Sequence, residues 1–142
     1  LRFIGEAMAQ EQSTVNAILS NKRTDITVTD NTVYLLSTAQ LSLDQVIFDN
    51  SLNSAASYLK LWDANTAGAV TLNTTAPDFV LPAAAGETVD FNFSSLGQHG
   101  TLTEKGAYFN LGLVYAVVTS AGTGGTTSPT NDVVVKFLHS EA

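Results

Sequence analysis

The chain has 142 residues, enough for one domain with an appended arm. It contains no Cys, which excludes disulfides, thiolate metal sites and Cys nucleophiles. Its formal charge of -7, from 13 acidic and 6 basic side chains, argues against binding nucleic acid by phosphate neutralisation and favours basic partners or simple solubility.

Only 13% of residues are charged, against a usual ~25%. Thr, Ser, Ala and Asn fill the deficit, which suits strands whose outer faces are hydroxyl-rich or covered by neighbours. No apolar run reaches the roughly 20 residues of a membrane helix, so no membrane partner is expected. Leu1-Arg2-Phe3-Ile4-Gly5 lacks the long apolar core of a signal peptide.

Residues 1–23 differ in composition from the remainder of the chain. Residues 5–12 are rich in helix formers and hold no β-branched residue. Ile4, Met8, Val15, Ile18 and Leu19 fall near one face at helical spacing. The pattern predicts an N-terminal arm or short helix over residues 1–23, with a break near Lys22-Arg23-Thr24 and a β-sandwich domain over residues 24–142. A thin apolar stripe without a core of its own suits docking on another subunit.

From Thr24 the β signals are dense. Asp25-Ile26-Thr27-Val28-Thr29 alternates, Asp30-Asn31 reads as a turn, and Thr32-Val33-Tyr34-Leu35-Leu36 comes next, so a hairpin is expected. Leu41-Ser42-Leu43 and Gln45-Val46-Ile47-Phe48 form the next strand or pair. Ser57-Tyr58-Leu59-Lys60-Leu61-Trp62 places Leu59 and Leu61 on one face and Tyr58, Lys60 and Trp62 on the other. A weaker strand is expected over residues 69–72. Pro77 and Pro82 bracket Asp78-Phe79-Val80-Leu81, a position where a ladder tolerates a missing N–H. Thr88-Val89-Asp90-Phe91-Asn92-Phe93 turns Val89, Phe91 and Phe93 inward. Residues 94–105 read as a long polar loop.

Residues 106–119 are the longest apolar run and predict one strand buried on both faces. Leu111, Leu113, Tyr115 and Val117 point one way; Val114, Ala116 and Val118 point the other. Residues 120–130 read as a flexible loop, and Val133-Val134-Val135-Lys136-Phe137-Leu138 is the last strand. The sum is an all-β chain of about eight antiparallel strands, a β-sandwich or jelly-roll-like domain.

Chemistry is sparse. His99 lies in Gly97-Gln98-His99-Gly100 and His139 just past the last strand; both read as solvated. There is no Gly-x-Ser-x-Gly elbow, no Asp-x-Asp-x-Asp calcium loop and no phosphate cradle at Gly122-Thr123-Gly124-Gly125. Asp63 and Asp132 suit turn capping. The chain is expected to be no enzyme, with no catalytic residue, no metal site and no cofactor. Tyr58, Trp62 and His99 are the candidate exposed contacts. The two aromatics could stack on a sugar ring, although in a sandwich such residues more often pack under a loop or against a subunit.

Three separated pieces carry a resemblance. They are Val46-Ile47-Phe48-Asp49-Asn50 leading to Ser57-Tyr58-Leu59-Lys60-Leu61-Trp62, then Phe79-Val80-Leu81-Pro82-Ala83, and finally residues 106–119 with Asn131-Asp132-Val133-Val134-Val135. In this order they resemble a small β-sandwich domain of tailed-bacteriophage virion proteins, found in capsid-decorating and fibre-like proteins. The match spans residues 45–138, and residues 94–105 depart from it. The resemblance implies an all-β virion structural protein without a cofactor. With the arm added, the expectation is a capsid decoration or cement protein on the capsid exterior. Its partners would be the major capsid protein and itself, as a homotrimer, and Leu1, Phe3, Ile4, Met8, Val15, Ile18 and Leu19 would anchor it. The alternative is a neck, tail or fibre module that binds a host-surface glycan or protein.

Overall fold

β-branched and aromatic residues dominate the segments that form strands, and nine strands appear among the described residues, 20–93 and 106–141, of the computed structural model. They are β1 (Ser20–Val28), β2 (Tyr34–Ser37), β3 (Leu41–Asp49), β4 (Ser57–Asp63), β5 (Phe79–Ala83), β6 (Thr88–Asn92), β7 (Ala107–Phe109), β8 (Leu113–Val118) and β9 (Val133–Glu141). The residues expected to anchor the protein, Leu1, Phe3, Ile4, Met8, Val15, Ile18 and Leu19, and the expected loop at residues 94–105 with His99 lie outside the described residues.

The strands make two antiparallel sheets. In the first the order is β1-β9-β3-β6, with β7 also on β3; in the second it is β2-β8-β4-β5. The β-sandwich expected from the sequence is therefore the fold. Val46 and Phe48 of β3, Leu59 and Leu61 of β4, Leu113 of β8 and Phe137 of β9 are fully buried between the sheets. Each such side chain contributes roughly 1.5–3 kcal/mol. Tyr115 joins them, its ring 5.2 Å from Phe137 and stacked at 5.5 Å on Tyr34. Burial pushes its hydroxyl pKa up to about 12.

The predicted hairpin of the first two strands does not form. β1 pairs β9 in the first sheet, while β2 pairs β8 in the second. The Asp30-Asn31 turn serves a crossing between sheets: Asp30 Oδ1 accepts from the Thr32 amide at 3.0 Å, and Asn31 Nδ2 donates to Thr126 O at 2.6 Å. β1 also begins at Ser20, so the paired chain starts ahead of the break placed near Thr24.

The predicted single strand over residues 106–119 is two strands in different sheets. β7 lies on β3, β8 lies between β2 and β4, and the chain crosses at Gly112, whose φ is 153°. Asp63 secures the crossing by accepting from the amides of Asn110 at 3.1 Å and Leu111 at 2.8 Å. Leu111, expected inside, is 49% exposed. The alternation along β8 is as expected: Leu113, Tyr115 and Val117 enter the central core, and Val114 and Ala116 a second one.

That second core explains how β8 can be buried on both faces. The outer face of the second sheet is covered by the chain between β4 and β5. Ala64 and Val70 pack on Trp62, Val114 and Ala116, with Leu72 and Val33 at the margin. The weak strand expected at residues 69–72 is absent; a 3-10 turn at Ala67–Ala69 occupies its start. Pro82 does sit where an edge tolerates it, on edge strand β5.

Two further expectations change. Residues 120–130 are tied down: Thr119 N donates to Thr127 O at 2.9 Å, Gly125 N to Asn73 Oδ1 at 2.9 Å and Lys60 Nζ to Gly124 O at 2.6 Å. β9 runs on to Glu141, which carries His139 into the sandwich, where it is 2% exposed.

Candidate interaction surfaces and buried polar sites

Tyr58, Lys60 and Trp62 share the outward face of β4, as alternation requires, but that face is covered. Trp62 is 3% exposed and donates from Nε1 to Thr75 O at 3.1 Å. It has no open face for a sugar, a correction to its reading as an exposed contact; Tyr58 is half-buried. The Lys60 head reaches a backbone carbonyl, and burial lowers its pKa.

One pole of the sandwich is closed by a side-chain amide hub. Asn50 is fully buried; its Nδ2 faces Ala55 O at 3.0 Å and Ala84 O at 3.1 Å, and its Oδ1 accepts from Asn53 Nδ2 at 3.0 Å and Ser57 Oγ at 2.8 Å. Asn53 in turn holds Asn131, accepting from its amide at 2.7 Å and donating to its carbonyl at 3.0 Å. These groups fix turns to one another, so their chemistry is structural.

The opposite half is where the chain enters and leaves. Ser20 pairs with Glu141 there, beside Leu41. Phe93 N donates to Asp44 O at 2.8 Å, and Ala107 pairs with Leu43, so Phe93 and Ala107 meet adjacent residues of β3. Asp44 is the extra residue of a bulge against β9, and its Oδ2 accepts from Ser140 Oγ at 2.9 Å.

Between the edges of β1 and β2 in this half lies a polar recess of about 440 Å³, lined by Lys22, Thr24, Leu35, Leu36, Ser37, Thr38, His139 and Glu141. His139 Nε2 is 3.3 Å from Thr24 Oγ1, and its Nδ1 is 3.3 Å from Glu141 Oε1, short of hydrogen-bond alignment. Lys22 Nζ donates to Glu141 Oε2 at 2.8 Å. Burial lowers the His139 pKa despite the attraction of Glu141. Burial alone would raise the Glu141 pKa, but Lys22, the Ser37 hydroxyl and His139 outweigh it and bring it below the usual carboxylate range. The Thr24–His139 contact and the Lys22–Glu141 ion pair join the ends of β1 and β9. Sequence reading missed the cluster by ending β9 at Leu138. The spacing of two from Val133 through Val135 and Phe137 to His139 and Glu141 was the available signal.

The outer face of the first sheet offers a shallow depression of about 80 Å³ at Arg23, Gln45, Ile47, Lys136 and Leu138. Among the described residues no three His, Cys, Asp or Glu side chains come together as a metal site. No helix among them is long and apolar enough to cross a membrane.

No described protein family and no curated protein matches the chain by sequence. Among solved structures, the chain is similar to the coat protein of tobacco streak virus, with a TM-score of 0.35 and 6% identity over 86% of each chain. A likeness at that level carries no argument about what this chain does.

Proposed function

We propose that the protein is a virion structural protein, a decoration or cement protein that stands on the outer face of a bacteriophage capsid and ties capsomers together. The observation that supports this reading is the polarity of the sandwich. Ser20, Glu141, Phe93 and Ala107, the described residues that flank positions 1–19, 142 and 94–105, all lie in the same half of the molecule, while the far pole is closed by the Asn50 hub. A body with its outgoing chain gathered at one end is suited to stand on a surface. The order of motifs over residues 45–138 supports the same class. The role is adhesive: the apolar residues of the arm bind the major capsid protein, and many copies on one shell multiply a modest site affinity. No catalysis and no cofactor belong to this role. Host-surface binding through a glycan is the alternative, and burial of Trp62 removes its aromatic platform.

Co-sedimentation of the full chain with shells that lack it tests the reading. Saturable binding in proportion to capsomers, lost on removal of residues 1–19, is the expected result. Absence of binding by the full chain would overturn it.

A further inference from the structure

β1 is an edge of the first sheet. It pairs β9 on one side, and among the described residues no strand pairs it on the other. Its pairing with β9 runs from Ser20 to Val28 without a register break. The free edge is therefore regular over 9 residues. Proteins blunt their edges by making them short, bulged, proline-bearing or charged. β1 has only charge: Arg23 and Asp25 on the solvent face and Lys22 toward the recess. Charge on an edge repels most partners and selects one that answers it.

We propose that β1 pairs antiparallel with β1 of a second copy, about a two-fold axis at Thr24, so that one sheet runs through both molecules. Thr24 is the midpoint of β1. The register centred there uses the whole strand, Ser20 facing the second copy's Val28 and the reverse. The same register sets Arg23 directly opposite the second copy's Asp25, and Asp25 opposite its Arg23. Opposed unlike charges stabilise an antiparallel pair, and opposed like charges destabilise it. Within one copy Arg23 Nε already lies 3.1 Å from Asp25 Oδ1, so the charges would alternate in sign around the axis. Moving the axis to Lys22, Arg23 or Asp25 sets that residue against its own copy and shortens the overlap. Full overlap and charge matching thus select one register independently. The pairing does not rest on the virion reading, and it replaces the threefold association expected from the sequence with a two-fold one.

Sedimentation equilibrium of the full chain over a range of concentrations tests it. The expected result is a monomer–dimer equilibrium, weakened about tenfold by Arg23→Asp, because two attractive pairs become repulsive, and restored by the swapped double variant R23D/D25R. The absence of native Cys allows a second test. Residues directly opposed on paired strands have Cβ atoms about 4.5–5.5 Å apart, near disulfide reach. Thr24→Cys should therefore link two copies on mild oxidation. Thr27→Cys, which faces the second copy's Asn21, should not. A monomer at all concentrations, a trimer, indifference to Arg23→Asp or equal linking of the two Cys variants would each overturn the proposal.

Discussion

Lys60 and Gly124 are 64 positions apart in the chain, and the ammonium of one meets the carbonyl of the other at 2.6 Å. The lysine sits on the outward face of β4, fully buried under residues 120–130. Burial holds its pKa below the ordinary value of about 10.5. The folded state therefore binds the proton less readily than the unfolded chain, and stability rises as pH climbs toward that value. Lys60→Met keeps the stem and removes the buried charge. Its global stability at pH 7 should stay within about 1 kcal/mol of the native chain or exceed it, and the rise in stability toward alkaline pH that Lys60 contributes should be lost. The Thr119 amide, bonded to Thr127 O, should exchange faster as the loop loses a tie. Urea titration and amide exchange measure the two effects; an unchanged Thr119 rate would mean that the remaining bonds suffice.

Gly112 and Gly86 separate strain from collision. Both have positive φ, 153° and 73°. A Cβ on Gly112 would strike Ser37 O and come within 2.8 Å of Ala64 O, whereas one on Gly86 would meet nothing within 4 Å. Gly86→Ala should cost about 1–2 kcal/mol from backbone strain alone. Gly112→Ala should cost more than about 3 kcal/mol, because two carbonyls that belong to the crossing between sheets must move. Comparable losses in the two variants, measured by urea unfolding, would contradict this ranking.

Phe93 and Gly106 both fall opposite Asp44: β6 approaches it from one register and β7 continues from it in another. Removing residues 94–106 should join Phe93 to Ala107 as one strand in register with β3. The shortened protein should fold with stability within about 1 kcal/mol, since a shorter connection reduces the closure entropy slightly. Circular dichroism and urea unfolding check the fold. Shell co-sedimentation of the same variant then reports whether the excised segment contributes contacts. An unfolded product would show that those residues hold β7 in place.

Acid should loosen the β1–β9 end. The His139 pKa is lowered, so its contribution is present above the ordinary imidazole value of about 6.5 and is lost as pH falls below it. Glu141, also lowered, adds a loss at pH values below about 4.5. Lys22 opposes protonation of His139, while Glu141 and Asp44 favour it. Between pH 7.5 and 5.5 the native chain should lose stability. His139→Gln, which keeps a polar side chain but does not titrate, should lose less. Parallel slopes for the two proteins would remove His139 from the account.

What the sequence disclosed and what it hid divide along one line. Periodicity is local, so it gave the β class, the inward set Val89, Phe91 and Phe93 packed on the core, and the two faces of β8. Partnership is not local. Asp30-Asn31 has hairpin chemistry, yet Asn31 is tied to Thr126 and the chain changes sheets. Residues 106–119 read as one strand because Gly112 looks like a small residue in an apolar run; only the nearness of Ser37 O and Ala64 O makes it a corner. Residues 120–130 have the composition of a free loop, but Lys60, Asn73 and Asn31 hold them from three distant positions. The recess went unseen because polar residues near a chain end are ordinarily solvated, and strand pairing with β1 and β3 reverses that for His139.

The pairing of β1 with β9 sets an order of events during synthesis. β1 is made before every other described strand, and β9, its partner among the described strands, is made after all of them. The second sheet, β2-β8-β4-β5, has all its strands earlier and can assemble while the first is still incomplete. Completing the first sheet joins segments far apart in the chain, the kind of closure that slows folding. Until then a strand with hydrogen-bonding groups free on both sides is open to pairing with other nascent chains. A ribosome that stalls between β8 and β9 therefore leaves a product with a templated but unfilled sheet, and such fragments should be recovered in aggregates while the complete chain stays in solution.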